Sequence, residues 1–149
     1  MYKLNLYVLV EPRNVQACPK GWFYCLEYGI RRIYGSGTGV LTLHQATLKA
    51  ICAGLNRLTQ NSEVQIYCED RFVTDSMTGT FSNPSALMKW AERDFAKEDG
   101  SPIASAEEWR TIWKKKAGHN LVAVPVASED RKWLEAIVKE PEKAAGQNG

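Results

Sequence analysis

The spacing of apolar positions changes character twice along the chain, and the changes divide it into elements. Leu4 to Val10 is dense in strand-forming residues and stops at Glu11-Pro12, where proline removes a backbone donor. After a loop carrying Pro19 and Gly21, Trp22 to Tyr28 predicts a second strand. Gly29 allows a turn, and Ile30 to Tyr34, punctuated by Gly35-Ser36-Gly37, predicts a third. Three strands with short connections form an antiparallel meander. The period then lengthens: Leu48, Ile51, Cys52 and Leu55 recur at three- and four-residue steps, predicting a helix over Leu43 to Leu58 capped by Thr42. Glu63 to Cys68 is a fourth strand, which the crossover lays parallel to the first. Further helices are predicted over Arg71 to Met77, Ser85 to Lys97 and Ser105 to Lys116, the last with Ser105 and Glu108 in capping-box spacing. Leu121 to Val126 is a fifth strand, and a final helix runs from Ser128 to about Lys139. The order β-β-β-α-β-α-α-α-β-α predicts a mixed α/β layer fold.

Composition narrows the function classes more than it selects one. The 149 residues suit one domain, read as 1–140, followed by a polar, disordered tail at 141–149. A formal charge of +2 is too mild to imply a nucleic-acid partner by itself, so any basic surface must come from local arrangement. No apolar run has the length of a membrane span, and Met1 to Pro12 alternates like a strand rather than a signal peptide. Cys18, Cys25, Cys52 and Cys68 lack zinc-site spacing, so they are expected to be free thiols in a cytoplasmic protein. Gly35 to Gly39 lacks the lysine of a phosphate loop, leaving a divalent metal as the one cofactor to consider.

Three blocks carry a likeness to a known family: Thr42 to Ala50, Val64 to Val73, and Lys97 to Ile103 with Trp109. Together they resemble ribonuclease HI, and the likeness runs along almost the whole chain. It implies a ribonuclease H-like fold, a five-stranded mixed sheet with helices on both faces. It also implies cleavage of the RNA strand of RNA–DNA hybrids by four carboxylates around two Mg²⁺ or Mn²⁺ ions, one ion activating water and the other stabilising the leaving oxygen. Position by position, the carboxylates are incompletely kept. Glu69 takes the place of the family's fourth-strand Asp, with Asp70 beside it. Glu11 supplies a first-strand carboxylate only after a one-residue slip, which turns a side chain to the other sheet face. The first-helix Glu falls on Thr47, and the last Asp falls near Trp133 or, with an adjusted gap, on Asp130. Val126 to Asp130 leaves no room for the family's Gly-His segment, and neither His44 nor His119 replaces it.

The candidate catalytic residues are therefore Glu69, Asp70, Glu11 and Asp130, with Glu69, Glu11 and Asp130 as candidate metal ligands. Each also has a structural reading: Glu69 and Asp70 as helix-start carboxylates, Glu11 as a solvated strand end, and Asp130 as a first-turn acid. Candidate nucleic-acid contacts are Asn14 and Gln16 in the first loop, Lys89, Trp90 and Arg93 on the third helix, and Lys114 and Lys115 on the fourth. Three functions stay open. The favoured one is a nucleic-acid-binding protein, for RNA–DNA hybrid or structured RNA, with an incomplete metal site and weak or absent hydrolysis. The others are an active metal-dependent nuclease with a rearranged site, and a protein-binding adaptor or inhibitor using aromatics such as Trp22, Phe81 or Trp113.

Overall fold

The computed structural model describes residues 1–80 and 82–139. The expected tail at 141–149 and the aromatic Phe81 lie outside them. The elements are β1 (Tyr2–Glu11), β2 (Cys18–Tyr28), β3 (Arg31–Leu41), α1 (Leu43–Leu55), β4 (Ser62–Cys68), α2 (Arg71–Met77), α3 (Ala86–Glu92), α4 (Ala106–Gly118), β5 (Asn120–Pro125) and α5 (Arg131–Val138), with a 3₁₀ turn over Ser128–Asp130. They form a single five-stranded sheet in the order β3-β2-β1-β4-β5. The meander is antiparallel, while β1–β4 and β4–β5 are parallel, as a helical crossover requires.

Alternation along β1 assigns the two faces. Leu6 and Val8 join Val64, Ile66, Leu48, Ile51, Leu55, Trp109 and Ile112 in one core layer, under α1 to α4. Tyr7 and Leu9 face the other way and pack with Cys25, Leu134 and Val138, under α5. Burying such side chains contributes about 1.5–3 kcal/mol each, which ties both helical layers to the central strand. No helix among the described residues is long and apolar enough to cross a membrane.

Five local expectations need correction. The second strand begins at Cys18 rather than Trp22, because Pro19 pairs only toward β3; the β1 partners start at Gly21, so no ladder donor is missed. Gly35 and Gly37 do not break the third strand. They sit opposite Tyr24 and Trp22, whose rings fill the space a Cβ would need. The first helix stops at Leu55, with Asn56 as its C-cap, rather than at Leu58. The third ends at Glu92 instead of Lys97, because Asp94 (φ 52°) and Phe95 (φ 57°) turn left-handed and drive Phe95 into the core at 3% exposure. The capping box at Ser105 is not made: Ser105 is itself left-handed at φ 58° with no side-chain cap bond, and Glu108 pairs with Lys49 at 3.6 Å. A real capping box forms elsewhere, between Thr42 and Gln45 at the start of α1.

Candidate functional site

β1 and β4 run parallel in register, Tyr7 opposite Tyr67, so their C-terminal ends emerge side by side. With a period of two, Glu11 and Glu69 share the face of Tyr7 and Tyr67, whose rings stack at 5.0 Å. That is the α5 face, and α5 opens there with Arg131. Its guanidinium donates to a Glu69 carboxylate oxygen, to the Val10 carbonyl at 3.1 Å and, through Nε, to Glu135 at 3.1 Å. Glu11 lies 3.9 Å from the same guanidinium and 2.5 Å from Lys139, and Arg13 reaches Glu69 at 3.4 Å. The Glu69 and Arg131 side chains are only 15% and 17% exposed, so that pair is shielded from bulk water, while Arg13 on its outer side is 55% exposed.

Between the same strand ends and α1 the space is tight. Val8, Val10, Leu43, Thr47, Cys68, Glu69 and Asp70 line a cleft of about 10 Å³, on the order of one water. Thr47 is buried and its hydroxyl donates to the Leu43 carbonyl one helical turn back, at 2.8 Å. The Cys68 thiol is pushed up to about 12 by burial, which holds it neutral. Asp70 is buried at the start of α2: one carboxylate oxygen accepts from the Val73 amide at 3.3 Å, the other meets His44 Nδ1 at 2.6 Å. Asp70 thus stands as a helix cap bridged to α1.

The structure brings Glu11 and Glu69 together around Arg131 and sets Asp70 apart with His44. Asp130 lies at the end of the 3₁₀ turn, exposed, and its carboxylate has no hydrogen bond or ion pair among the described residues. Trp133 packs edge-on against Tyr7 and Tyr67 at 5.8 and 5.9 Å. No three His, Cys, Asp or Glu side chains among the described residues are gathered so as to hold a metal ion.

Beside His44 a second, larger cavity of about 400 Å³ opens between α1, α3 and α4, lined by His44, Gln45, Phe72, Trp90, Ser105 and Trp109 among others. His44 packs on Phe72 at 4.5 Å, Phe72 lies 6.4 Å from Trp90, and Trp90 lies 5.1 Å from Trp109. Lys89, on α3, and Arg93, its C-cap, are exposed and form no ion pair among the described residues. Lys114 and Lys115 sit in the last turns of α4 and do not line this cavity. Asn14 is committed to the fold, its carbonyl and side-chain oxygen accepting from the buried Lys20 ammonium at 2.7 and 3.1 Å, while Gln16 is exposed in the same loop. Trp22 and Trp113, expected as exposed aromatics, instead pack half-buried against the core.

Sequence reasoning missed Arg131, Lys139 and Glu135 around the strand ends, and the pairing of His44 with Asp70. The Arg131–Glu135 spacing of four on a helix was a visible signal. The other pairings span dozens of residues and exist only once the sheet has formed.

No protein-family profile matches the chain. Among curated proteins it is similar to ribonuclease H of Paramagnetospirillum magneticum, 25% identical over 104 residues covering 69% of this chain and 64% of that protein. The ribonuclease H of Hahella chejuensis is 26% identical over 105 residues, covering 69% and 66%. The chain thus spans less than two thirds of the length of these relatives. Among solved structures it is similar to LC9-RNase H1, a type 1 RNase H with the type 2 active-site motif, at a TM-score of 0.63 and 15% identity, covering 86% of this chain and 65% of that one. It is also similar to a foamy viral protease-reverse transcriptase in complex with dsDNA, at a TM-score of 0.59 and 15% identity, covering 93% and 92%.

Proposed function

The chain has a ribonuclease H-like fold, and from that premise we propose that it binds nucleic acid, an RNA–DNA hybrid first among candidates, without an efficient two-metal hydrolytic site. The observation that carries this reading is the ring-lined groove of His44, Phe72 and Trp90; Lys89 and Arg93, exposed on and just after the helix that brings Trp90, form no ion pair among the described residues. Aromatic faces accept bases by stacking, and free lysine or arginine neutralises phosphate. The relatives named ribonuclease H, and the foamy viral reverse transcriptase solved with RNA/DNA hybrid at a TM-score of 0.52, favour this partner class over a protein one.

Hydrolysis of the family's kind would need hard oxygen ligands converging on Mg²⁺ or Mn²⁺. The residues present do not fit that need. Thr47 spends its hydroxyl on its own helix, Asp70 caps α2, and Glu11 and Glu69 already share cations. The cleft between the strand ends has room for about one water, too little for a pair of hydrated ions.

Fluorescence anisotropy with a labelled RNA–DNA hybrid in EDTA tests the binding. We expect affinity that falls steeply with added salt, and Phe72→Ala to weaken it by about 1–3 kcal/mol, the value of one stacked base. Lys89→Gln with Arg93→Gln should flatten the salt slope by roughly 0.9 for each phosphate left without its cation. Absence of binding at low salt overturns the proposal and leaves the adaptor reading. Metal-dependent cleavage that disappears in Glu69→Ala overturns the claim about hydrolysis.

A further inference from the structure

We propose that Arg131 is a resident cation: its guanidinium supplies, from within the chain, the positive charge that the carboxylates at the ends of β1 and β4 would otherwise draw from a divalent metal. The inference rests on the proposed function's premise that these carboxylates form no metal cage, and it deepens that premise by naming what occupies their place.

Three features support it. The first is reach. A single guanidinium joins Glu69 after β4, the Val10 carbonyl and Glu11 on β1, and Glu135 one turn along its own helix. Its planar fork suits several acceptors held at different angles, which a lysine ammonium serves less well. The second is charge. Glu11, Glu69 and Glu135 carry three negative charges, and Arg131, Arg13 and Lys139 return three positive ones. The group is neutral before any ion arrives, so a divalent cation entering it would leave an excess of positive charge around the sheltered Glu69–Arg131 pair. The third is shelter. The Arg131 side chain is only 17% exposed and lies against Glu69 and the Val10 carbonyl, so an ion must displace it to reach the carboxylate.

The sequence supplies this cation at the position where the last helix begins. The 3₁₀ turn over Ser128–Asp130 delivers Arg131 as the first residue of α5, and burial of Leu134 and Val138 fixes that helix against β1. The arrangement is thus specified by packing rather than by the ion pairs alone.

Manganese binding to the full chain, followed by electron paramagnetic resonance of free Mn²⁺ in the absence of nucleic acid, tests the proposal. The wild type is expected to take up no Mn²⁺ in a Glu69-dependent manner up to about 1 mM, the weak end of protein divalent sites. Arg131→Gln should expose the carboxylates and bind Mn²⁺ roughly tenfold or more tightly than wild type, a gain removed by adding Glu69→Gln. Uptake by the wild type that Glu69→Gln abolishes, or a folded Arg131→Gln protein with no gain, overturns it. If Arg131→Gln does not fold, Arg13→Gln with Lys139→Gln decides, since it strips the outer cations and keeps Arg131. No uptake by that variant supports Arg131 as the occupant, and Glu69-dependent uptake overturns it. Because the measurement omits nucleic acid, failure of hybrid binding and failure of this inference are separately visible.

Discussion

Asp70 and His44 illustrate how much one side chain decides at the residue scale. Asp70 satisfies the Val73 amide at the start of α2 and meets His44 across to α1, while being 4% exposed. Replacing it with alanine removes a cap worth about 0.5–2 kcal/mol and leaves the imidazole without its partner. Asp70→Ala should therefore lower the urea midpoint clearly more than His44→Ala, whose side chain is 37% exposed. Equal effects would mean that the cap contributes little and the pair is the whole interaction. His119 gives a second residue-scale test, in pH. Burial first, and the charge of Lys115 second, hold its pKa below the ordinary histidine value, and its Nδ1 accepts from the Ser62 amide at 3.0 Å. The neutral ring therefore favours the folded chain. Its contribution is fully present above pH about 6.5, and as pH falls below that value the unfolded chain takes up the proton first, so stability is lost. The stability gap between wild type and His119→Gln should shrink on going from pH 8 to 5. A constant gap would uncouple His119 from folding.

At the scale of elements, Ser105 and Gly35 show what the pattern reveals and what it hides. Apolar period, punctuated by proline, glycine and cap residues, placed the five strands and five α-helices of the described residues in the right order, because alternation and three- to four-residue recurrence are imposed by burial against a sheet. Boundaries depended on side-chain chemistry that only neighbours define. Ser105 and Glu108 have capping-box spacing, yet Ser105 is left-handed and makes no cap bond. A left-handed non-glycine residue costs roughly 1–2 kcal/mol, against about 0.5–1 for the added freedom of unfolded glycine. Ser105→Gly should thus be stabilising by some tenths to 1 kcal/mol in urea denaturation, whereas a working capping box would make it destabilising. Gly35 looked like punctuation and is instead a seat for the Tyr24 ring, which is 5% exposed. Gly35→Ala is expected to cost about 1–3 kcal/mol by overpacking. Gly39→Ala should cost less, since its added carbon meets only the movable end of Leu41 at 3.3 Å.

For the molecule as a whole, the candidate site was legible one residue at a time and illegible as an assembly. The sequence exposes Glu11, Glu69, Asp70 and the loss of charge at Thr47, since each sits in a recognisable block. That Glu69 faces a cation rather than a fellow carboxylate follows from strand parity and from the helix that closes the other face, 62 residues away. The same parity makes the Glu69–Arg131 pair a strut between the sheet and α5, and its strength should exceed that of an ordinary surface pair. A double-mutant cycle of Glu69→Gln and Arg131→Gln should give a coupling of about 1–3 kcal/mol that changes little between low and high salt, because both groups are sheltered. The Arg71–Asp75 pair, spaced four apart on α2 with side chains 69% and 67% exposed, serves as the internal contrast. Its coupling should lie near 0.3–0.5 kcal/mol and fade as salt is added. If the two cycles gave the same small, salt-sensitive value, the strand ends would be solvated like any surface and the guanidinium would hold nothing in place.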